Sequence, residues 1–232
     1  MWSAFCLLSP VGMDGLDRVM SAVHSAGFSD QTLRRLLDLV ASGLVLPGGG
    51  SAAGIGGALG MSLVLMVAER PRKGSTPSLE GDELRTVIAR LRPARDRLVR
   101  LAELDVEAYA RVIEARRLPN DTPAQHLARH IALQHALREA TNVPLDMMHV
   151  CEEALRCGVV VSNHSRTSAK GDLAIGIELI SVALRGAARA VDANLSRFED
   201  EDYVARVTEQ CRQFEASGAE TMQGIMRTLD AV

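Results

Sequence analysis

Two aspartates, Asp105 and Asp172, have the side-chain chemistry and the surroundings to move a proton. Asp105 is one of three acidic residues within five positions of a predicted helix, and Asp172 opens an otherwise apolar helix. A carboxylate acts as a general acid or base when its position and its pKa suit the reaction. The residues alone leave both roles open, because Asp105 could belong to a solvated helix face and Asp172 could cap its helix or complement the helix dipole.

A run of three glycines could present backbone N–H groups to a ligand. Gly48–Gly50 follow Pro47 and precede Ser51, and a helix of small residues is predicted to continue from there. Free N–H groups at the start of a helix attract an anion or a carbonyl oxygen. The segment is not a nucleotide fingerprint, because Leu59 replaces the third glycine and no Lys-Ser or Lys-Thr pair follows. The glycines of this helix could equally let neighbouring helices approach closely, and we expect both roles.

The histidines and cysteines do not form a metal-binding pattern. His126 and His130 are four residues apart and His135 follows, but the glutamate of the zinc-protease motif is missing after His126. The four cysteines show no C-x-x-C spacing and stand in apolar or helical surroundings, as the reduced thiols of cytosolic proteins do. We therefore expect no metal site and a cytoplasmic protein.

The composition favours an all-α, multi-helix bundle with a buried glycine-rich helix. Hydrophobic residues make up 47% of the 232 residues but aromatic residues only 3%, so the core must consist of Ala, Leu, Val, Ile and Met. The net charge of −3, without a block of like charge, argues against a nucleic-acid partner. An uncharged run from Ala41 to Ala68 raises the question of a membrane span. Pro47 and the glycines interrupt it, which favours a core helix and no membrane partner.

The hydrophobic spacing predicts one domain over residues 1–232, with residues 1–13 as a loose N-terminal arm. Gly43 is predicted to stop the second helix, and Pro93 and Pro144 to kink or interrupt two later ones. Residues 158–168 form the least helical segment. The predicted helices are 14–26, 29–42, about 48–70, 80–118, 121–156, 169–195 and 200–229.

Several short motifs occur in an order that is typical of one enzyme family. With them, from about Leu36 to Phe214, the sequence resembles the cyclodeaminase and methenyltetrahydrofolate cyclohydrolase family. That family comprises the C-terminal half of formiminotransferase-cyclodeaminase and its free-standing bacterial relatives. The motifs are Leu46-Pro47-Gly48-Gly49-Gly50-Ser51-Ala52-Ala53, Asp105-x-Glu107-Ala108-Tyr109, Arg117-Leu118-Pro119, Ala140-Thr141-x-Val143-Pro144-Leu145, Gly171-Asp172, and Leu184-Arg185-Gly186-Ala187 with Val191 and Asn194-Leu195.

The resemblance implies a cyclodeaminase-like helical fold, a homodimer and a tetrahydrofolate derivative as substrate, with no cofactor. The expected reaction is hydrolysis of 5,10-methenyltetrahydrofolate to 10-formyltetrahydrofolate, or cyclisation of 5-formiminotetrahydrofolate with release of ammonia. Because no formiminotransferase half accompanies the sequence, we expect the hydrolysis ahead of the cyclisation. Both reactions pass through a tetrahedral carbon between two nitrogens, so they need a carboxylate and a shaped pocket.

The same resemblance assigns roles to individual residues. Asp172 is expected to be the proton-transfer or pterin-binding acid, and Asp105 a second catalytic carboxylate. Ser51 and the glycine N–H groups are expected to orient the ligand. The full set of predicted substrate-binding residues is Pro47, Gly48, Gly49, Gly50, Ser51, Tyr109, Arg166, Ser168 and Arg185.

The segment before Asp172 departs from the family pattern and keeps two other functions open. Family members usually carry Gly-Asn-Pro-Asn and a Ser-Asp pair there, whereas this chain reads Ser165-Arg166-Thr167-Ser168-Ala169-Lys170-Gly171-Asp172. The acid is kept, but both asparagines and the serine beside the acid are replaced. One alternative is therefore a diverged enzyme that acts on another small heterocycle. The other is a non-catalytic helical dimer that binds a ligand or a partner protein.

Overall fold

The computed structural model describes residues 27–44, 46–70 and 79–231. Every regular element in these ranges is helical, which confirms the predicted all-α fold. Two 3-10 helices, Phe28–Asp30 and Thr167–Ala169, accompany the α-helices. The α-helices are α1 (Leu33–Val40), α2 (Gly49–Ala68), α3 (Leu79–Arg117), α4 (Pro123–His164), α5 (Lys170–Leu195) and α6 (Glu201–Asp230).

The chain divides into two compact units, Met1–Gly48 and Gly49–Val232. In the first unit, the side chain of Thr32 accepts a hydrogen bond from the backbone N–H of Arg35 at 3.2 Å and so caps α1. Gly43 has a left-handed φ of 75°, but the helix already ends at Val40 with Ala41 as its C-cap, two residues before the predicted stop. The predicted helix 14–26 and the arm 1–13 lie outside the described residues. A single domain over the whole chain stays a prediction.

The glycine-rich helix α2 packs directly against α5 and α3 in the second unit. It is apolar on nearly every side, as expected for a helix enclosed by other helices. A Cβ atom at Gly60 would lie 2.6 Å from the carbonyl oxygen of Gly176. One at Gly57 would lie 2.9 Å from the Cβ of Ala183. The predicted close-packing role is therefore confirmed for Gly54 and Gly60, whereas no atom lies within 4 Å of a Cβ placed at Gly56.

The contacts between α2 and α5 show that the two helices run antiparallel. Ala53, near the start of α2, faces Gly186 in the second half of α5. Gly60, further along α2, faces Gly176 in the first half of α5. The beginning of α5 therefore lies beside the end of α2.

Among the described residues, α2 is the one helix long and apolar enough to cross a membrane. Its 20 residues have a high mean hydropathy, but more than half of that apolar stretch is buried inside the protein. Both the length and the burial match the core helix that the glycines and Pro47 indicated.

The long helix α4 packs against α3, α5 and α6 and forms the middle of the second unit. It begins with a cap at Thr122, whose side chain accepts a hydrogen bond from the backbone N–H of Gln125, while the Gln125 side chain accepts one from the N–H of Thr122. Asp200 caps α6 in a similar way, accepting from the N–H of Tyr203. The largest side chains of the core are aliphatic or thioether: Met61, Leu91, Leu98, Leu137, Met147, Met148, Leu155, Leu173, Ile177, Ile180 and Ile225.

Pro93 and Pro144 were expected to kink or divide their helices, and the predicted division is wrong, because α3 and α4 each continue through the proline. The low helicity expected for residues 158–168 is confined to its end, because α4 continues to His164. The physical reason is tertiary packing: Pro144 is buried among neighbouring helices, and Gly158 lies tightly against Ile177 and Ile225.

Replacing Gly60 by alanine tests whether this packing holds α2 in place. The new methyl group would overlap the backbone of Gly176, so Gly60→Ala should lower the free energy of unfolding by about 1–3 kcal/mol. Gly224→Ala is the matched control, because nothing lies within 4 Å of a Cβ at that helical glycine. The control should be neutral or stabilising by up to about 1 kcal/mol in urea unfolding. Equal effects of the two substitutions would contradict the packing described here.

Candidate active site

The carboxylate of Asp105 lies against the first turn of α2. The hydroxyl of Ser51, which is fully buried, donates a hydrogen bond to Oδ2 of Asp105 at 2.9 Å. The backbone N–H of Ser51 donates to the same carboxylate. A Cβ atom at Gly50 would lie 2.7 Å from both carboxylate oxygens, so the glycine leaves the space that the carboxylate occupies. Asp105 thus binds the N-terminus of α2 from another helix, as an N-cap residue would.

Burial raises the pKa of Asp105 above the ordinary value for an aspartate. The two hydrogen bonds from Ser51 act in the opposite direction, because they stabilise the ionised carboxylate, but the loss of hydration outweighs them. A carboxyl group whose pKa is raised exchanges its proton more readily near neutral pH. Asp105 therefore combines a fixed position with a carboxyl group that holds its proton to a higher pH than an ordinary aspartate does.

The two acidic neighbours of Asp105 on α3 are bound to an arginine. Nη1 of Arg100 lies 3.1 Å from Glu103 and 3.4 Å from Glu107. Asp105 itself is hydrogen-bonded by Ser51 on α2, so the three acids do not form one solvated face. The sequence could not separate these roles, because all three residues are acidic and close together in the chain.

Tyr109 and Arg185, which were also predicted to bind the substrate, lie at the end of α2 that contacts Asp105. Tyr109 is half-buried and follows Asp105 by one turn, which places it on the same side of α3. Arg185 is exposed, and its guanidinium donates to Oγ of Ser181 at 3.1 Å. Its neighbour Gly186 packs against Ala53, close to the first turn of α2.

Asp172 lies at the opposite end of α2. It is exposed in the first turn of α5, four residues before Gly176, which contacts Gly60. Ten residues lead from Gly50 to Gly60 along α2, and four lead from Gly176 to Asp172 along α5. At a rise of about 1.5 Å per residue, Gly50 and Asp172 are therefore about 20 Å apart along the helix axes. Within one chain the structure therefore does not bring Asp172 and Asp105 together.

The remaining residues predicted to bind the substrate lie in different parts of the structure. Arg166 is half-buried and Ser168 is exposed in the turn before α5, at the end of α2 that carries Asp172. Gly49 is exposed in the first turn of α2. Pro47, joined to Leu46 by a cis peptide bond, and Gly48 belong to the first unit. The catalytic and binding roles of all these residues stay predictions.

Two sizeable cavities of the second unit lie away from the Asp105 carboxylate. One, of about 640 Å³, is a cleft between α3 and α4 lined by Arg90, Arg97 and Arg156 among others. The other, of about 510 Å³, lies between the end of α3 and the first half of α4. Neither is lined by Asp105, Ser51 or Gly50.

In the part of the chain that the structure describes, the histidines and cysteines show no arrangement for binding a metal. His126, His130 and His135 are exposed on the surface of α4. Across the described ranges, no three His, Cys, Asp or Glu side chains are grouped closely enough to hold a metal ion. Cys151, Cys157 and Cys211 are buried free thiols.

The raised pKa of Asp105 predicts a specific dependence of stability on pH. A carboxyl group whose pKa is higher in the folded than in the unfolded protein favours the folded state while it is protonated. As the pH rises from about 4 through the raised pKa, the group ionises and this contribution to the free energy of unfolding is lost. Asp105→Asn removes this loss. The variant should therefore gain stability relative to the wild type between pH 4 and pH 7 in urea unfolding. Asp121→Asn, at an exposed turn, is the control, and a matching gain there would contradict the assignment.

Comparisons with known proteins agree with the fold and with the motifs. The family model described as formiminotransferase-cyclodeaminase matches residues 32–213. A methenyltetrahydrofolate cyclohydrolase of Methylorubrum extorquens is 33% identical over 172 residues, which cover 74% of this chain and 82% of that protein. A formimidoyltransferase-cyclodeaminase of Gallus gallus is 28% identical over 229 residues, which cover 89% of this chain but 42% of the relative.

A solved structure has the same fold. The formiminotetrahydrofolate cyclodeaminase of Thermotoga maritima superimposes with a TM-score of 0.78 at 24% identity, covering 88% of this chain and 98% of the other. At that identity the likeness concerns the fold. The match of the family model over most of the chain, and the identity to the cyclohydrolase, establish the relationship: the chain belongs to the formiminotransferase-cyclodeaminase family.

Proposed function

We propose that this protein is a folate one-carbon enzyme that hydrolyses 5,10-methenyltetrahydrofolate to 10-formyltetrahydrofolate, with Asp105 as its proton-transfer group. The observation that carries the proposal is the buried carboxylate of Asp105, whose pKa is raised, at the N-terminus of the glycine-rich helix. Membership of the family supports the substrate class, and a match over 82% of a methenyltetrahydrofolate cyclohydrolase supports the hydrolytic reaction.

A single carboxylate can carry out the proton transfers that the hydrolysis requires. A water molecule attacks the cationic methenyl carbon, and the ionised Asp105 accepts a proton from that water as the new C–O bond forms. The resulting tetrahedral carbon is bound to N5, N10 and a hydroxyl group. When the C–N5 bond breaks, protonated Asp105 returns a proton to N5, and the hydroxyl group loses its proton to become the formyl oxygen. The net reaction consumes one water and releases one proton.

The surroundings of Asp105 suit this sequence of steps. A carboxylate must ionise to accept a proton and must also be protonated in the next step, which favours a pKa above the ordinary value for aspartate. The ionised form also stabilises the positive charge of the methenyl substrate by attraction at short range. Backbone N–H groups in the first turn of α2, which have no partner within the helix itself, can orient polar atoms of the ligand.

The second candidate reaction is the cyclisation of 5-formiminotetrahydrofolate with loss of ammonia. Formimidoyltransferase-cyclodeaminases among the relatives favour it. This reaction also passes through a tetrahedral carbon between N5 and N10, so it uses the same carboxylate. Asp105 would take the proton of the attacking N10 amine and deliver a proton to the departing nitrogen.

We propose further that the enzyme is a cytosolic homodimer. The free thiols of Cys151, Cys157 and Cys211 support a reducing compartment. Large apolar side chains exposed on α2 and α5, namely Leu59, Ile175 and Val182, support the association of two chains.

Asp105→Asn tests the proposed role directly. Asparagine can still accept a hydrogen bond from Ser51 but cannot exchange a proton, so turnover of methenyltetrahydrofolate should fall by about 10²- to 10⁴-fold while the helical fold is retained. The loss of absorbance of the methenyl compound measures the rate, against Asp121→Asn as a control with the same charge change at an exposed turn. Undiminished turnover in Asp105→Asn rules out the role of this carboxylate.

Ligand binding separates an active folate enzyme from the two alternatives. Because a ligand that binds only the folded state raises apparent stability, reduced folates at about 100 times their dissociation constant should stabilise the protein by about 2.7 kcal/mol. The measurement is the thermal melting temperature with tetrahydrofolate, 10-formyltetrahydrofolate and, as a control, free pterin. A protein that neither hydrolyses methenyltetrahydrofolate nor melts at a higher temperature with any reduced folate is not a folate enzyme.

A further inference from the structure

The cleft between α3 and α4 has an apolar floor. Its volume of about 640 Å³ is that of a site for a small molecule, which is usually enclosed by mostly apolar side chains. Ala89 and Ala94 of α3 and Ala154 of α4 line it, and their short side chains leave space between the two helices. The floor consists of the buried residues Val87, Leu91, Val150, Ala154 and Cys157. A flat apolar ring suits such a floor.

Three arginines, against one glutamate, line the same cleft. All three are exposed. Arg97 forms a salt bridge with Asp146 at 3.2 Å, and Arg156 forms one with Glu152 at 2.6 Å. Guanidinium groups hydrogen-bond carboxylates and also stack on the faces of aromatic rings. The charged side chains of the cleft therefore favour a ligand that combines an aromatic ring with a negative charge.

The third arginine, Arg90, forms no salt bridge with a carboxylate of residues 27–44, 46–70 or 79–231. Its guanidinium nevertheless acts on the floor of the cleft. Burial raises the pKa of the Cys157 thiol, the charge of Arg90 lowers it, and the charge of Glu153 raises it. Both charges therefore lie near Cys157. A carboxylate on a ligand that covers this floor would have Arg90 as its partner.

Pro93 leaves a backbone acceptor beside the same floor. A proline inside a helix has no N–H to donate to the carbonyl oxygen four residues earlier, which here belongs to Ala89. Both residues line the cleft. In the part of the chain that the structure describes, no side chain donates a hydrogen bond to this carbonyl in place of the missing N–H.

Pro144 shows how the chain compensates the same loss elsewhere. Its missing N–H leaves the carbonyl of Ala140 without its partner in α4, and Nδ2 of the buried Asn194 donates to that oxygen at 2.9 Å. The protein thus supplies a side-chain donor for one of these two carbonyls. A hydroxyl or amino group of a ligand would supply the donor for the other.

We propose that the cleft between α3 and α4 binds a small aromatic carboxylate that carries a hydroxyl or amino group. The ring lies on the apolar floor, the carboxylate pairs with Arg90, and the hydroxyl or amino group donates to the carbonyl of Ala89. The cleft is not lined by Asp105, Ser51 or Gly50, so this site is separate from the one assigned to folate chemistry. Its test therefore does not depend on the proposed function.

The charge of Arg90 is tested with the fluorescent probe 6-hydroxy-2-naphthoate. A titration of the wild type should show saturable binding of one probe per chain, and Arg90→Gln should weaken it by about 10-fold, as expected for the loss of a charge-assisted hydrogen bond. Arg92→Gln, on the same helix but outside the cleft, is the control and should bind as the wild type does. The neutral 6-hydroxy-2-naphthamide should gain nothing from Arg90. No saturable binding, or equal weakening by both substitutions, overturns the proposal.

The place of binding is tested by filling the cleft. Ala89 is exposed, so Ala89→Phe adds a ring to the cleft without disturbing the core, and the probe should no longer bind. Ala205→Phe, at an exposed position of α6, is the matched control and should leave the affinity unchanged. Circular dichroism verifies that both variants keep their helices. Unchanged binding to Ala89→Phe contradicts the assigned place.

The carbonyl of Ala89 is tested by restoring its missing donor. The wild type should bind 6-hydroxy-2-naphthoate about 5-fold more tightly than 2-naphthoate, because the hydroxyl adds one hydrogen bond. In Pro93→Ala the new N–H of residue 93 donates to that carbonyl, so the preference should shrink. Arg90→Gln should keep it, although both probes bind more weakly there. A wild type that does not distinguish the two probes, or a preference that Pro93→Ala leaves intact, overturns the proposal.

Discussion

The structure depends on the close approach of other helices to the start and middle of α2. Glycines at positions 50, 54, 57 and 60 let α3 and α5 come within backbone contact distance, and this contact places Asp105 against the first turn of the helix. The same burial that creates the contact removes water from the carboxylate, and so raises its pKa. The position of Asp105 and its raised pKa thus arise from one feature, a helix whose glycines leave room for its neighbours at the closest contacts.

Helical periodicity and composition were sufficient to predict the class of fold. The amphipathic spacing located most helices to within a few residues. Pro93 and Pro144 could not be interpreted correctly from local rules, because the loss of one backbone hydrogen bond is small beside the packing of a 39- or 42-residue helix.

The candidate site could be predicted only in part. Asp105 and Ser51 were both chosen from the sequence, but 54 positions separate them, and no local pattern shows that their side chains meet. Asp172 was chosen as the principal acid from the family resemblance, and neither the resemblance nor its place at the start of an apolar helix reveals at which end of α2 that helix begins. The antiparallel packing of α2 and α5 decides this, and packing between distant segments is what a single sequence does not display.

The central claim is that Asp105 holds its proton to a higher pH than an ordinary aspartate and transfers it during turnover. The most direct measurement is a carbon-13 NMR titration of aspartate carboxyl groups, with the Asp105 signal assigned by its absence from Asp105→Asn. This signal should titrate at a higher pH than that of an ordinary aspartate, and at the same pH as an inflection in the rate of methenyltetrahydrofolate hydrolysis. A carboxylate that titrates at or below the ordinary value, or a rate that does not change where it titrates, would contradict the account.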